Sequence, residues 1–172
     1  MSRYFTAFYM MLEFLLRLVI VPQWRACLLR MLGSQVGRSV RIYEIRLFNL
    51  SDGFRNLVIE DNVHVGTGCL FDLKGLLTIR RGTTISPGVT IITHNDPGQY
   101  HDSPICSEFE PSAKGVEIGP DCWIGTNSTI LAGSEIGGKT VIGAGSLVRG
   151  HMEGNAIYAG VPARKVRDLM IG

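Results

Sequence analysis

The sequence predicts a mainly β domain: a parallel β-helix preceded by α-helices and broken by one protruding loop. Three observations predict it. Aliphatic or aromatic residues recur at every sixth position from Val36 onward, a period that fits neither an α-helix nor an isolated strand. The segment before them follows helical three-and-four spacing instead. Between Thr93 and Gly115 the six-residue beat stops, in a stretch rich in polar and turn-forming residues.

The chain opens with "RYFTAFYMMLEFLLRLVIVP", apolar at Phe5, Phe8, Tyr9, Leu12, Leu15, Leu16 and Val19, with Thr6, Glu13 and Arg17 on the opposite side. This spacing predicts an amphipathic helix stopped by Pro22, then a second short helix over "QWRACLLRML" closed by Gly33. Glu13 and Arg17 interrupt a run barely long enough to span a bilayer and spoil a signal-peptide core, so a cytoplasmic chain is expected. The broad apolar face is expected to pack over the end of the body or against a neighbouring subunit, or else to lie on a membrane surface.

The hexads then run in sets: Val36, Ile42, Phe48; Ile59, Val65, Phe71; Ile79, Ile85, Ile91; and, after the interruption, Ile118, Ile124, Ile130, Ile136, Ile142, Val148. If three hexads make one coil, each coil is a triangle of short strands with the sixth-position residue pointing inward. The small residue that follows, as at Gly119, Gly125, Gly137 and Gly143, is expected to let the backbone turn sharply. The slips between Phe48 and Ile59 and between Phe71 and Ile79 predict corner bulges. The organisation is thus a helical segment over residues 1–33 and a β-helix over 34–172, with a loop at 94–115.

Composition narrows the function classes. With 172 residues and 45% hydrophobic content, one sizeable core is expected. Seventeen basic against fifteen acidic side chains give +2, and no nucleic-acid-binding signature accompanies that small excess. Cys27, Cys69, Cys106 and Cys122 lack CxxC spacing, which favours reduced, mostly buried thiols over disulfides or zinc.

The hexad run, "FDLKGLLTIRRGTTISPGVTIITHND", "DCWIGTNSTILAGSEIGGKTVIGAGSLV" and the terminal "YAGVPARKVR", in that order, resemble the hexapeptide-repeat acyltransferases, most closely the sugar O-acetyltransferases. The resemblance covers Val36 to Arg167. It implies a left-handed β-helix, an exception to the usual crossover rule. It also implies a homotrimer with sites between neighbouring prisms, acetyl-coenzyme A as donor, a saccharide acceptor, and no metal.

By the same resemblance His94 is the general base, a neutral imidazole that takes the proton of an attacking hydroxyl. Asp72 contacts the acceptor or holds the base; an aspartate capping a corner turn is the plainer reading. Asn95 and His101 are placed at the acceptor, although His101 could instead bond within the loop. Trp123 lines the cleft near the thioester, and the amide after Gly125, that of Thr126, faces the developing oxyanion. Ala144, Ala159 and Gly160 are small where the pantetheine arm lies close to the backbone. Arg149, Arg164, Lys165 and Arg167 supply donors for the coenzyme phosphates. Gly150 stands where close relatives often have Lys, which weakens the case for Arg149, and the 95–115 stretch is longer than in the smaller sugar acetyltransferases.

Three other readings compete. A nucleotide-sugar N-acetyltransferase would use the same base on an amine. A non-catalytic β-helix scaffold would show no coenzyme effect on melting. A zinc enzyme of the γ-carbonic-anhydrase kind would draw on His64, His94 and His101, whose spacing does not match that family.

Overall fold

A computed structural model describes residues 3–98 and 103–170. Helix α1 (Arg3–Arg17) and helix α2 (Pro22–Met31) come first, with Pro22 in the first turn of α2 where its missing N–H costs nothing. Arg25 ties the two together. Its buried guanidinium donates to the carbonyls of Leu16 at 3.0 Å and Ile42 at 2.7 Å and also to Val19, so it satisfies the C-terminal end of α1 while pinning it to the first coil.

Six coils follow. The first three are β1 (Gln35–Val36), β2 (Arg41–Ile42), β3 (Ile45–Phe48); β4 (Leu57–Ile59), β5 (His64–Val65), β6 (Cys69–Asp72); and β7 (Leu77–Ile79), β8 (Thr84–Ile85), β9 (Thr90–Ile91). The chain then makes its excursion through β10 (His94–Asn95), α3 (Pro104–Glu108) and β11 (Ser112–Ala113). Stacking resumes with β12 (Val116–Ile118), β13 (Trp123–Ile124), β14 (Thr129–Ile130); β15 (Glu135–Ile136), β16 (Val141–Ile142), β17 (Leu147–Val148); and β18 (His151–Met152), β19 (Ala156–Ala159). Last, β20 (Arg164–Asp168) folds back antiparallel on β19.

The strands form three parallel faces: β1-β4-β7-β12-β15-β18, β2-β5-β8-β13-β16-β19 with β20 added, and β3-β6-β9-β14-β17. Register aligns the aliphatic column, with Ile79 beside Ile118 and then Ile136 on the first face, and Ile91 beside Ile130 and then Val148 on the third. These side chains are buried in one continuous core that also takes Leu16, Ala26 and Leu29 from the helices.

Three expectations are corrected. The corner turns are made three residues after the inward aliphatic, where Asn62, Asp121 and Asn127 take left-handed φ of 59°, 57° and 57°. The glycine directly after the aliphatic serves close stacking instead, because a Cβ on Gly119 would lie 2.6 Å from the Gly138 amide nitrogen of the next coil. Secondly, the inward residue of β3 is Leu47, aligned with Phe71, whereas Phe48 aligns with Asp72 and is only half-buried. The corner before β3 is one residue shorter than its counterpart before β6, which advances the strand by one place.

The third correction concerns α1. Its inward side carries Tyr9, edge-on to Phe54 at 5.5 Å, together with Leu16 and the buried Glu13, whose carboxylate accepts from the Leu47 amide at 3.2 Å. Phe8 and Leu15 of the expected core face are exposed instead. The helix docks on the side that can satisfy the free Leu47 N–H, and so turns most of its apolar residues outward. Of the cysteines, Cys69 and Cys122 are buried and Cys27 is exposed; burial pushes the Cys69 thiol up to about 11.

Polar ladders reinforce the stack across the excursion. The buried Thr83 hydroxyl donates to the Gly119 carbonyl at 2.8 Å and accepts from the Cys122 amide at 3.1 Å. Thr83→Val keeps the shape but strands both backbone groups, so it is expected to lower unfolding stability by about 1–3 kcal/mol. Urea denaturation checks this, and an unchanged midpoint would count against the ladder.

Candidate active site

The third face builds the site at the exits of its first three strands. Pairing of β3 with β6 sets Phe48 opposite Asp72, and pairing of β6 with β9 sets Phe71 opposite Ile91. The residues just beyond, Asn49, Asp72, Thr93 and His94, therefore leave the prism side by side. Asp72 is fully buried. Its Oδ1 accepts from Asn49 Nδ2 at 2.8 Å and the Lys74 amide at 3.1 Å; its Oδ2 accepts from the Thr93 amide at 2.8 Å and from His94 Nδ1. Thr93 closes the arrangement, since its hydroxyl donates to the Asp72 carbonyl at 3.0 Å and accepts from the Gly75 amide at 2.9 Å.

Burial pushes the Asp72 carboxyl up, but the donors on Asn49, His94, Thr93 and Lys74 outweigh it and hold the group below the usual aspartate range. An ionised Asp72 accepts a hydrogen bond from a protonated His94 Nδ1, which leaves the lone pair of Nε2 available as a base. A depressed folded-state value gives stability that is present above the unfolded-state value of about 3.9 and lost as pH falls through the folded one. Wild type and Asp72→Asn are accordingly expected to differ in urea midpoint at neutral pH and to converge as pH drops below about 4. A gap that stays constant across that range would overturn this.

His94 opens onto a cleft of about 710 Å³ lined by Asn95, Asp96, Pro97, Glu108, Phe109 and Ser112, among others. The described residues of the loop that walls it carry regular hydrogen bonding. His94 and Asn95 pair antiparallel with Ala113 and Ser112, the Asp96 carboxylate accepts from the Gly98 amide at 2.7 Å, and the Ser103 hydroxyl caps α3 by accepting from the Ile105 amide at 3.3 Å. His101 lies outside the described residues.

The remaining candidates gather elsewhere on the prism. Trp123, Gly125, Thr126, Ala144, Ala159 and Gly160 occupy the second face and its corner with the third; the Gly145 amide donates to the Thr126 carbonyl and the Leu147 amide to that of Gly160, which aligns three coils. The Trp123 indole N–H donates to Ser86 Oγ at 2.9 Å. Thr126 is exposed, and its amide has no acceptor among the described residues. Arg164, Lys165 and Arg167 are exposed on β20, where Lys165 is already paired with Asp168 at 2.6 Å, and that bond raises its pKa. Arg149 stands at the corner between the third and first faces, apart from them.

Within one chain the corner bearing Thr126 and the edge bearing His94 are separated by the width of the third face, about 16 Å at strand rise. The structure brings Asp72, His94 and Asn95 together and leaves the Thr126 column on another edge. His64 sits on the second face against Tyr43, with ring centroids 5.3 Å apart; burial and Arg41 lower its pKa. His151 is exposed at the start of β18.

Sequence reasoning missed Asn49 and Thr93. Asn49 holds Asp72, comes within 3.5 Å of His94 Nδ1, and has a left-handed φ of 57°. The available signal was an asparagine at the start of a phase slip, a residue type that tolerates that conformation.

A three-sided parallel β-helix of six-residue repeats is the fold of the hexapeptide-repeat transferases. The family model described as bacterial transferase hexapeptide (six repeats) matches residues 115–150. Over those residues the chain carries the hexapeptide transferase repeat. WbbJ of Escherichia coli K12, to which an O-acetyl transferase role in lipopolysaccharide biosynthesis is ascribed, is 35% identical over 118 residues, 65% of this chain and 57% of that protein. The chain thus spans little more than half the length of that relative. WcaF of the same strain, ascribed to colanic acid biosynthesis as an acetyltransferase, is 28% identical over 151 residues, 87% of this chain and 77% of its own. The crystal structure of the hexapeptide-repeat acetyltransferase VCA0836 from Vibrio cholerae superposes with a TM-score of 0.83 at 21% identity, covering 98% of this chain and 92% of that one. A further structure of that protein is complexed with acetyl-coenzyme A. The prism matches the left-handed β-helices of such acetyltransferases.

Proposed function

We propose that this protein moves the acetyl group of acetyl-coenzyme A to a hydroxyl of a saccharide, a surface-glycan precursor, with His94 as general base. One observation carries the reading: Asp72 engages His94 Nδ1 and leaves Nε2 to act, at the mouth of a cleft of about 710 Å³ that suits a sugar. The ascribed roles of WbbJ and WcaF support the acceptor class.

In this reading His94 Nε2 takes the hydroxyl proton as the acceptor oxygen attacks the thioester carbonyl. The Thr126 amide donates to the developing oxyanion. The C–S bond then breaks, and His94 returns the proton to the departing thiolate, so that atoms and charge balance.

The residues fit the donor. Ala144, Ala159 and Gly160 are small along one column, so an extended arm can lie against the backbone, and Arg164 and Arg167 are exposed where phosphates would end. Because a chain's own Thr126 column is a face away from its His94, a neighbouring copy would complete each site. That geometry supports a homotrimer.

Asp96, Glu108 and Glu110 beside His94 would accept hydrogen bonds from sugar hydroxyls. The same carboxylates would hold the ammonium of an amino sugar, which favours N-acetyl transfer as the second reading. Release of free thiol from acetyl-coenzyme A, measured over a panel of neutral sugars, amino sugars and nucleotide sugars, tests both. The expected result is acceptor-dependent release with a hydroxyl acceptor. Release only with amino acceptors selects the second reading, and no release together with no thermal shift from coenzyme A overturns both.

A further inference from the structure

Helix α1 keeps an apolar face that nothing in the described structure covers. Phe8, Met11, Phe14, Leu15 and Leu18 project together on the side opposite Tyr9 and Leu16, and Phe14 is 54% exposed. No polar residue falls among them. The stripe continues through the connector, where Ile20 is 92% exposed, to Trp24, Leu28 and Met31 of α2, spaced along one side of that helix with Trp24 67% and Met31 77% exposed. A face of this extent on a soluble protein marks an interaction surface.

Charge selects the occupant. The first 59 residues contain eight arginines against three acidic residues, whereas the remainder carries nine basic against twelve acidic. Arg38, Arg41 and Arg46 are exposed on the coil that both helices cover, and the Arg17 guanidinium lies 5.3 Å over the Phe14 ring at the margin of the stripe. An apolar stripe with Arg17 at its margin and exposed arginines on the coil beneath suits phosphate-bearing lipid headgroups above acyl chains. A second copy of the same face would set arginine against arginine.

Location agrees. The helices pack on β1, β2 and β3, the terminal strands of the three faces, so the stripe occupies one end of the prism, remote from the β20 tail. No helix among the described residues is long and apolar enough to cross a membrane, so contact would be in the plane of the surface.

We infer that the outward face of α1, with Trp24, Leu28 and Met31 of α2, docks on an anionic lipid surface. The inference stands apart from acetyl transfer, because it rests on the helices and the first coil alone.

Vesicles of phosphatidylcholine with and without phosphatidylglycerol test it on the full chain, by co-sedimentation and by Trp24 fluorescence in a Trp123→Phe background. The expected result is binding to the anionic vesicles only, weakened by salt, with Trp24 emission shifted to the blue. Phe14→Glu with Leu15→Glu is expected to weaken binding at least about tenfold, as is Arg38→Glu with Arg41→Glu, which leaves the apolar stripe intact should the first pair perturb folding. No binding to anionic vesicles overturns the inference, as does binding that both double variants retain. Dissociation of an oligomer by Phe14→Glu with Leu15→Glu, seen by sedimentation, overturns it in favour of a second copy.

Discussion

His94→Ala is expected to lower acetyl transfer by about 10² to 10⁴ while leaving coenzyme A affinity nearly unchanged. The split follows from the layout: the proposed base stands at the exit of β9, and the small-residue corner and β20 arginines stand on another face. Stability should fall modestly, because the variant removes one of the four donors to the buried Asp72 carboxylate and leaves three in place. Turnover with the best acceptor, alongside coenzyme A titration by calorimetry, checks both halves. Wild-type turnover would remove His94 from the mechanism, and a parallel loss of coenzyme affinity would mean that the two sites are not separate.

Under the proposed mechanism Asp72→Asn should be nearly as costly to activity, with Asp72 acting through His94 as a positioning residue. The carboxylate accepts four donors, two on each oxygen. An amide offers one oxygen; its NH₂ must face either the Asn49 and Lys74 donors or those of Thr93 and His94. If it faces His94, Nδ1 must become the acceptor and the proton moves to Nε2, which disables the base. In a serine-protease triad the same exchange lowers kcat about 10⁴-fold, which bounds the expectation here. The discriminating readout is the division between kcat and KM: loss of the correct tautomer lowers kcat with coenzyme KM preserved, whereas a loosened fold raises both KM values. Asp72→Glu, which keeps the charge, is expected to recover part of the lost rate, and equal inactivity of both variants would point to packing instead.

The repeat body was legible because its period is dictated locally. Ile118 to Val148 keep one beat, and each inward residue meets its counterpart on the next coil whatever lies outside. The first coil was less so: a corner one residue short put Leu47 where the beat pointed to Phe48, and no composition signal marks a deletion of that size. The orientation of α1 failed for another reason. Periodicity identifies an apolar face but not its partner, and a buried Glu13 is intelligible only once the Leu47 amide is known to need an acceptor.

Within the site, His94 and Asp72 could be singled out because they sit beside breaks in the beat. Their direct contact depends on strand register in the third face and could not be read from a separation of 22 residues. Asn49 escaped notice for the same reason. It belongs to the first coil, and it reaches the histidine only because three coils end in line.

The pairing of β10 with β11 clips the two ends of the excursion together, while β7, β8 and β9 stack directly on β12, β13 and β14 as though nothing intervened. The length and composition of the intervening segment are thereby uncoupled from the scaffold, and doubling such a loop costs only about 0.6 kcal/mol in closure entropy. Descendants of this chain could therefore exchange the segment wholesale, while the Asp72–His94 pair and the Thr126 corner, held by the coils, are inherited unchanged.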